Sequence, residues 1–173
     1  MRILLALALL ATIPVHAADA VDEGARNVQI LKHYIDLGEK GLYGEMAAMW
    51  SPDAQNNGRP MRPEMIRTIL EDIYRTFPDY KSEIIEIVTR GDLVVYLSRV
   101  SGTHRGVSKT NFNGGLLQGA KPTGLRFESL QTHWYRLRDG KLIYHQGVRD
   151  DLSMMRQLGL VADELPADKR ATP

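Results

Sequence analysis

SLQTHWYRLRDGKLIYHQGVRD, residues 129–150, is a pair of β-prone runs around Asp139-Gly140. An Asp-Gly pair between such runs is the strongest short-range hairpin signal a sequence carries. With those residues as the loop, Arg138 pairs with Lys141, Leu137 with Leu142, Tyr135 with Tyr144 and His133 with Gln146. Gln131 then faces Val148, and Ser129 faces Asp150. Side chains alternate across a strand. One face therefore carries Gln131, His133, Tyr135, Leu137, Leu142, Tyr144, Gln146, Val148 and Asp150. It is apolar near the turn and polar toward the open end. A sheet edge leaving the core has this pattern. So does a pocket with an apolar floor and a few convergent polar groups. His145 falls on the opposite face beside Trp134, where packing accounts for it.

The chain around this hairpin has 173 residues, 43% of them apolar, enough for one domain with a real core. It begins MRILLALALLATIPVHA. Arg2, the apolar run from Ile3 to Ile13 and Val15-His16-Ala17 make a secretory signal peptide over residues 1–17. Cleavage is expected after Ala17, leaving a periplasmic or secreted protein. The leader is too short to span a bilayer and no other run could, so no membrane association is expected after cleavage. Losing Arg2 takes Lys+Arg from 22 to 21 against 21 Asp+Glu, a neutral mature chain. Without a basic run it has no electrostatic footprint for nucleic acid. The absence of cysteine excludes disulfides, thiol chemistry and cysteine metal sites.

Helical spacing marks 22–37, with Val21, Ala25, Val28, Leu31 and Ile35 in one stripe and Gly38 as the stop. Short helices are expected over 43–50 and 63–74, the latter with Pro63 in its first turn. Between them AQNNGRP reads as a polar loop or short strand. From Tyr80 the period is two: strands over 81–90 and 93–104, with Gly91-Asp92 as their turn. Residues 105–124, rich in Gly, Asn and Lys, read as a long loop and the candidate lid. Strands over 125–138 and 141–149 form the central hairpin, followed by a helix over 152–160 and a fraying tail, 161–173. Three helices before four antiparallel strands give an α+β domain over 22–160, with helices covering one face of a curved sheet.

Six pieces of this chain carry a family resemblance: SPDAQN (51–56), FPDY (77–80), GTHRG (102–106), KPTG (121–124), QTHWYRLRDGK (131–141) and HQGVRDDLSMMRQLG (145–159). Their order and spacing resemble the NTF2-like cone, and within it the SnoaL-like polyketide cyclases (ester cyclases), over Asn27 to Gly159. The chain departs from the pattern by an insertion, SKTNFNGGLLQ (108–118), and by Gln146 where many members have Trp. The resemblance implies an acid/base enzyme without cofactor. It implies Asp150 as the acid/base, with His133, Gln131 and Asn56 assisting. It also implies a homodimer formed through the sheet face of Trp134, Arg136 and Ile143.

Such a cyclase removes a proton α to a carbonyl, and the carbanion attacks a second carbonyl of the same molecule. The enolate needs donors in a dry site and a base raised by apolar surroundings. Asp150 is one candidate for that base; equally, it is the cap of the helix that follows. His133 and Gln131 are enolate donors or buried, satisfied polar residues. Asn56 reads as a turn residue that only the resemblance promotes. His104 guards the pocket mouth or sits on the surface, and Tyr135 and Gln146 line the pocket face. His133 and His145 point to opposite faces, so no metal triad is readable. Three functions compete: a cofactor-free enzyme acting on a small apolar carbonyl compound (a cyclase, or a related isomerase, dehydratase or hydrolase), a binding module that carries such a ligand, and an interaction domain whose pocket is vestigial.

Overall fold

The computed structural model describes residues 15–162. Residues 1–14 of the expected leader and nearly all of the expected tail lie outside that span. Helix α1 (Val15–Glu39) starts earlier than its apolar stripe, because the Ala-rich segment before it favours helix. It is followed by α2 (Tyr43–Ala48), strands β1 (Trp50–Asn56) and β2 (Arg59–Pro60), and α3 (Pro63–Thr76). Next come β3 (Lys81–Arg90) and β4 (Leu93–Thr103). After a long loop, β5 (Arg126–Arg138), β6 (Lys141–Arg149) and α4 (Asp151–Gln157) complete the fold. The expected α+β cone is found: helices pack on a curved, unclosed six-stranded sheet of order β2-β1-β6-β5-β4-β3.

β1 and β2 exceed the four expected strands. Asn57 and Gly58 have φ of 49° and 73°, a turn of the kind that closes β1 onto β2. Asp139 and Gly140 repeat it at φ 51° and 74°. β1 then runs parallel to β6, a pairing no local pattern announces, and sets Asn56 beside His145.

The central hairpin departs from the expected register. Arg138↔Lys141 and Leu137↔Leu142 pair as expected, but Arg136 then faces Tyr144 and Tyr135 faces His145. Ile143 is the extra residue of a bulge. Bulges of this kind bend a strand and increase its twist, which suits a curved sheet. One inserted residue sends every later side chain of β6 to the other face. His145, Gly147 and Arg149 turn inward, opposite Tyr135, His133 and Gln131. Gln146 joins Trp134 on the outer face, and Val148 is exposed there.

Two apolar cores result. One joins Leu31, Tyr34 and Leu37 of α1 to Trp50, Tyr96 and Tyr135. The other gathers Phe77, Val100, Leu117, Phe127 and Met154 near α4. Members of both border a cavity of about 700 Å³ between helices and sheet.

Candidate functional site

The inner face of β5 and β6 forms one wall of the cavity. Nδ1 of His133 lies 2.9 Å from Nε2 of His145, and Nδ1 of His145 lies 2.8 Å from Oδ1 of Asn56. Tautomers follow from this network. The Asn56 carbonyl accepts, so Nδ1 of His145 carries a proton and its Nε2 holds a lone pair. Nδ1–H of His133 donates to that lone pair. Nε2 of His133 has no hydrogen-bond partner among the described residues and is left with a lone pair, on a residue that borders the cavity. The two imidazoles meet above Gly147. A Cβ at Gly147 would stand 3.3 Å from Cε1 of His145 and 3.6 Å from Nδ1 of His133, so the bare backbone leaves their seat open. The Gly147 N–H donates to Oδ1 of Asn57 at 2.9 Å, which ties the end of β1 to the same spot.

Aromatic rings surround the pair. His133 stacks on Tyr96 at 4.9 Å between centroids, and His145 stacks on Tyr135 at 4.5 Å and meets Trp50 edge-on. Burial removes the water that would solvate an imidazolium. His133 is pushed down to about 4 by that burial, with the Arg149 charge adding to the effect. His145 is held well below its ordinary value by burial, by His133 and by Arg149. Both rings are therefore neutral at pH 7, which the one-way chain of donors requires. Burial raises the phenols as well, Tyr34 and Tyr80 to about 12, so they remain protonated donors.

Gln131 is 7% exposed and borders the cavity, its side-chain amide without a hydrogen bond among the described residues. Arg149, its partner across the ladder, also borders the cavity. The guanidinium bonds Asp151 through Nε and Nη2.

The roof is the loop expected to be a lid. It carries a short 3₁₀ turn, Phe112–Gly115, and Asn111, Phe112 and Gly114 border the cavity. Asp72 of α3, wholly buried, pins it. The carboxylate accepts from Ser108 Oγ at 2.9 Å, Lys109 N at 3.0 Å, Thr110 N at 2.8 Å and Thr110 Oγ1 at 2.7 Å, and pairs with Arg75. Burial alone would raise this carboxyl, but bonds from Thr110, Lys109 and Ser108 outweigh it and hold it below its ordinary value. Leu117, wholly buried, is a second anchor of this loop over the cavity.

Of the expected site residues, His133, Gln131, Tyr135 and Asn56 meet at the cavity. Gln146 borders it too, although the bulge gives its side chain the outer face. Two expectations need correction. Asp150 is exposed, does not border the cavity and accepts from the Ser153 N–H at 2.9 Å as the cap of α4. The bulge turned its strand position outward. His104 is wholly buried away from the cavity, packed on Phe77 with Nδ1 accepting from the Thr123 N–H. It closes the neck of the roof loop, whose ends pair there. His145 and Arg149 were missed as inward residues, because Ile143 and Tyr144 are both apolar and hide the bulge.

The family model for SnoaL-like polyketide cyclases matches residues 28–158. Three solved structures share the fold. A SnoaL-like polyketide cyclase from Agrobacterium tumefaciens is 21% identical with a TM-score of 0.63, covering 77% of this chain and 98% of its own. TsrD from Streptomyces laurentii is 23% identical with a TM-score of 0.65, covering 79% and 97%. A phenazine biosynthesis-related protein from Pseudomonas aeruginosa is 14% identical with a TM-score of 0.65, covering 90% and 99%. No curated protein is similar enough in sequence to match.

Proposed function

The chain belongs to the SnoaL-like polyketide cyclase family, and from that premise we propose an exported, cofactor-free acid/base enzyme acting on a small apolar carbonyl compound. The observation that carries this reading is the Asn56–His145–His133 chain, which ends in a lone pair at an aromatic cavity. Nε2 of His133 takes a proton from the carbon α to the carbonyl. Asn56 and His145 fix the tautomer that makes this possible and share the charge that arrives. His133 replaces Asp150 as the base in this reading, because Asp150 is spent on capping α4 outside the cavity. A nearly dry imidazole is a weak base in the free protein. The negative charge that builds on the substrate in the same step favours its protonated form. The carbanion then closes on a second carbonyl in the same molecule, or is reprotonated at another carbon.

The test is proton exchange. Aromatic ketones with acidic α-hydrogens, incubated with the protein in D₂O, should gain deuterium at the α-carbon by NMR. His133→Ala should slow this about 10²–10⁴-fold, the usual worth of a general base. Exchange unaffected by His133→Ala would remove His133 from the role. A binding module is the second reading, favoured by the absence of Asp150 from the cavity wall. It predicts tight retention of an apolar ligand with no exchange.

We also propose a homodimer through the outer sheet face, where Val88, Leu130 and Val148 are 55%, 50% and 60% exposed. A monomer in sedimentation velocity at micromolar concentration would count against it.

A further inference from the structure

We propose that Arg149, backed by Gln131, holds the oxygen on which negative charge develops in this cavity. The substrate is then an enolisable dicarbonyl compound that presents one oxygen to that end. The inference rests on His133 as the base and deepens that reading.

The inner face of the hairpin is a patch two residues wide: Gln131 beside Arg149, His133 beside Gly147, Tyr135 beside His145. The base sits in the middle row. Gly147 contributes no side chain and the two imidazoles take that place, with Arg149 in the row on one side and Tyr135 and His145 in the row on the other. A planar ligand with its α-carbon at Nε2 of His133 has its carbonyl oxygen two bonds away, on the side of the next row, whose two long side chains start about 7 Å along the strand and can reach back to it. Both bring donors. Gln131 has an amide free of other bonds among the described residues, and Arg149 has Nη1 free of the Asp151 pair. The guanidinium is close enough to add to the lowering of both imidazoles and to offset part of the burial that raises the Tyr80 phenol, so its field crosses the cavity. Among the described cavity residues the other ionic groups, Arg59 and Glu39, are exposed. Charge that develops inside thus meets a cation on one side and protonated phenols around it.

The electron count is simple. The α C–H bond breaks, its proton moves to Nε2 of His133, and its electron pair passes to the carbonyl oxygen. That oxygen accepts from Arg149 and Gln131. A charge-assisted bond to Arg is stronger than one to a neutral donor, so it favours the enolate over the ketone. A structural reading also exists: Arg149 holds β6 to α4 through Asp151. The experiment separates the two.

The probe is 1-phenyl-1,3-butanedione, whose enolate absorbs at longer wavelength than its neutral forms. Titrating the bound probe by absorbance gives its enolate preference without turnover. The wild-type protein should favour the enolate about tenfold or more over solution. Arg149→Met should lose most of that preference, with Arg149→Gln serving the comparison if Arg149→Met does not fold. Asp151→Asn breaks the same ion pair but leaves the guanidinium, and should keep it. His133→Ala should keep it while losing deuterium exchange. Equal losses in Arg149→Met and Asp151→Asn would reduce Arg149 to a strut and overturn the proposal. So would an undiminished preference in Arg149→Met, or none in the wild type. Enolate preference without exchange in the wild type would instead sink His133 as base and leave the anion site standing.

Discussion

The β3–β4 and β5–β6 hairpins are built alike. Each has a two-residue turn, and each carries one extra residue in one strand, Ile85 in β3 and Ile143 in β6. In β3 the bulge lets Ile84 and Ile87, three apart, both face inward while Glu83 and Glu86 face solvent. Two glutamates three apart cannot alternate strictly and stay in water, so that bulge is written in the charges. In β6 the residues between Leu142 and His145 are Ile143 and Tyr144, acceptable on either face. Nothing there marks the bulge. The two also differ in consequence. β3 is an edge strand whose far edge pairs with no strand among the described residues, whereas β6 is central and carries half of the imidazole pair. A bulge is readable where both neighbours object to the wrong face, and silent where they do not.

Deleting Ile143 should break the comparison most. It restores strict alternation and would drive either Leu142 or His145 from the interior. A loss above about 3 kcal/mol in urea unfolding is expected, or failure to fold, because a buried Leu or a paired histidine is displaced. Deleting Ile85 should cost clearly less, about 1–2 kcal/mol, since only one neighbour must adjust. Equal costs would show that position in the sheet does not set the importance of a bulge.

Acid is the next lever; it acts on the imidazole pair of β5 and β6, and burial lowers His104, beyond the end of β4, in the same direction. His133 is depressed from 6.5 to about 4, so between those values the unfolded chain binds a proton that the native state refuses. Stability is full above about 6.5 and falls as pH drops toward 4, by up to about 3 kcal/mol from this group. Urea midpoints from pH 7 to 4 should show it, and His133→Ala should flatten the curve in part, since burial lowers His104 and His145 too. An unchanged slope would mean that the imidazole is not dry.

Asp72→Asn tests the roof. An amide cannot accept all the bonds the carboxylate takes, so a cost of about 1–3 kcal/mol is expected. Amide exchange should accelerate at Lys109 and Thr110. Protection that stays intact there would show that Leu117 holds the loop by itself.

The smallest effect belongs to Asp150→Asn. Asn caps helices as well as Asp does, so stability should change by less than about 0.5 kcal/mol and deuterium exchange not at all. A large loss of exchange would restore Asp150 to the chemistry and undo the inward turn of Arg149.

Much of this could be read beforehand, for physical reasons that differ by region. Period-two patterning and the Asp-Gly turn located β3 to β6 within a residue or two, since local chemistry dictates both. The same turn chemistry at Asn57-Gly58 was obscured by its polar surroundings, and β1 earns its place only by a partner some ninety residues away. His133, Gln131 and Asn56 were placed correctly at the cavity. His145, Arg149 and Asp150 were all misplaced by the same single residue, Ile143.

The parallel seam between β1 and β6 joins the first strand made to the last. β5 and β6 can find each other across a two-residue turn, but Asn56 must wait for a loop of nearly the whole domain to close, the slowest kind of contact to form. Until it does, nothing fixes the His145 tautomer and the His133 lone pair is undefined. The proposed base is therefore defined only with the final step of assembly. A chain still being synthesised lacks this network until its C-terminal strand has been made.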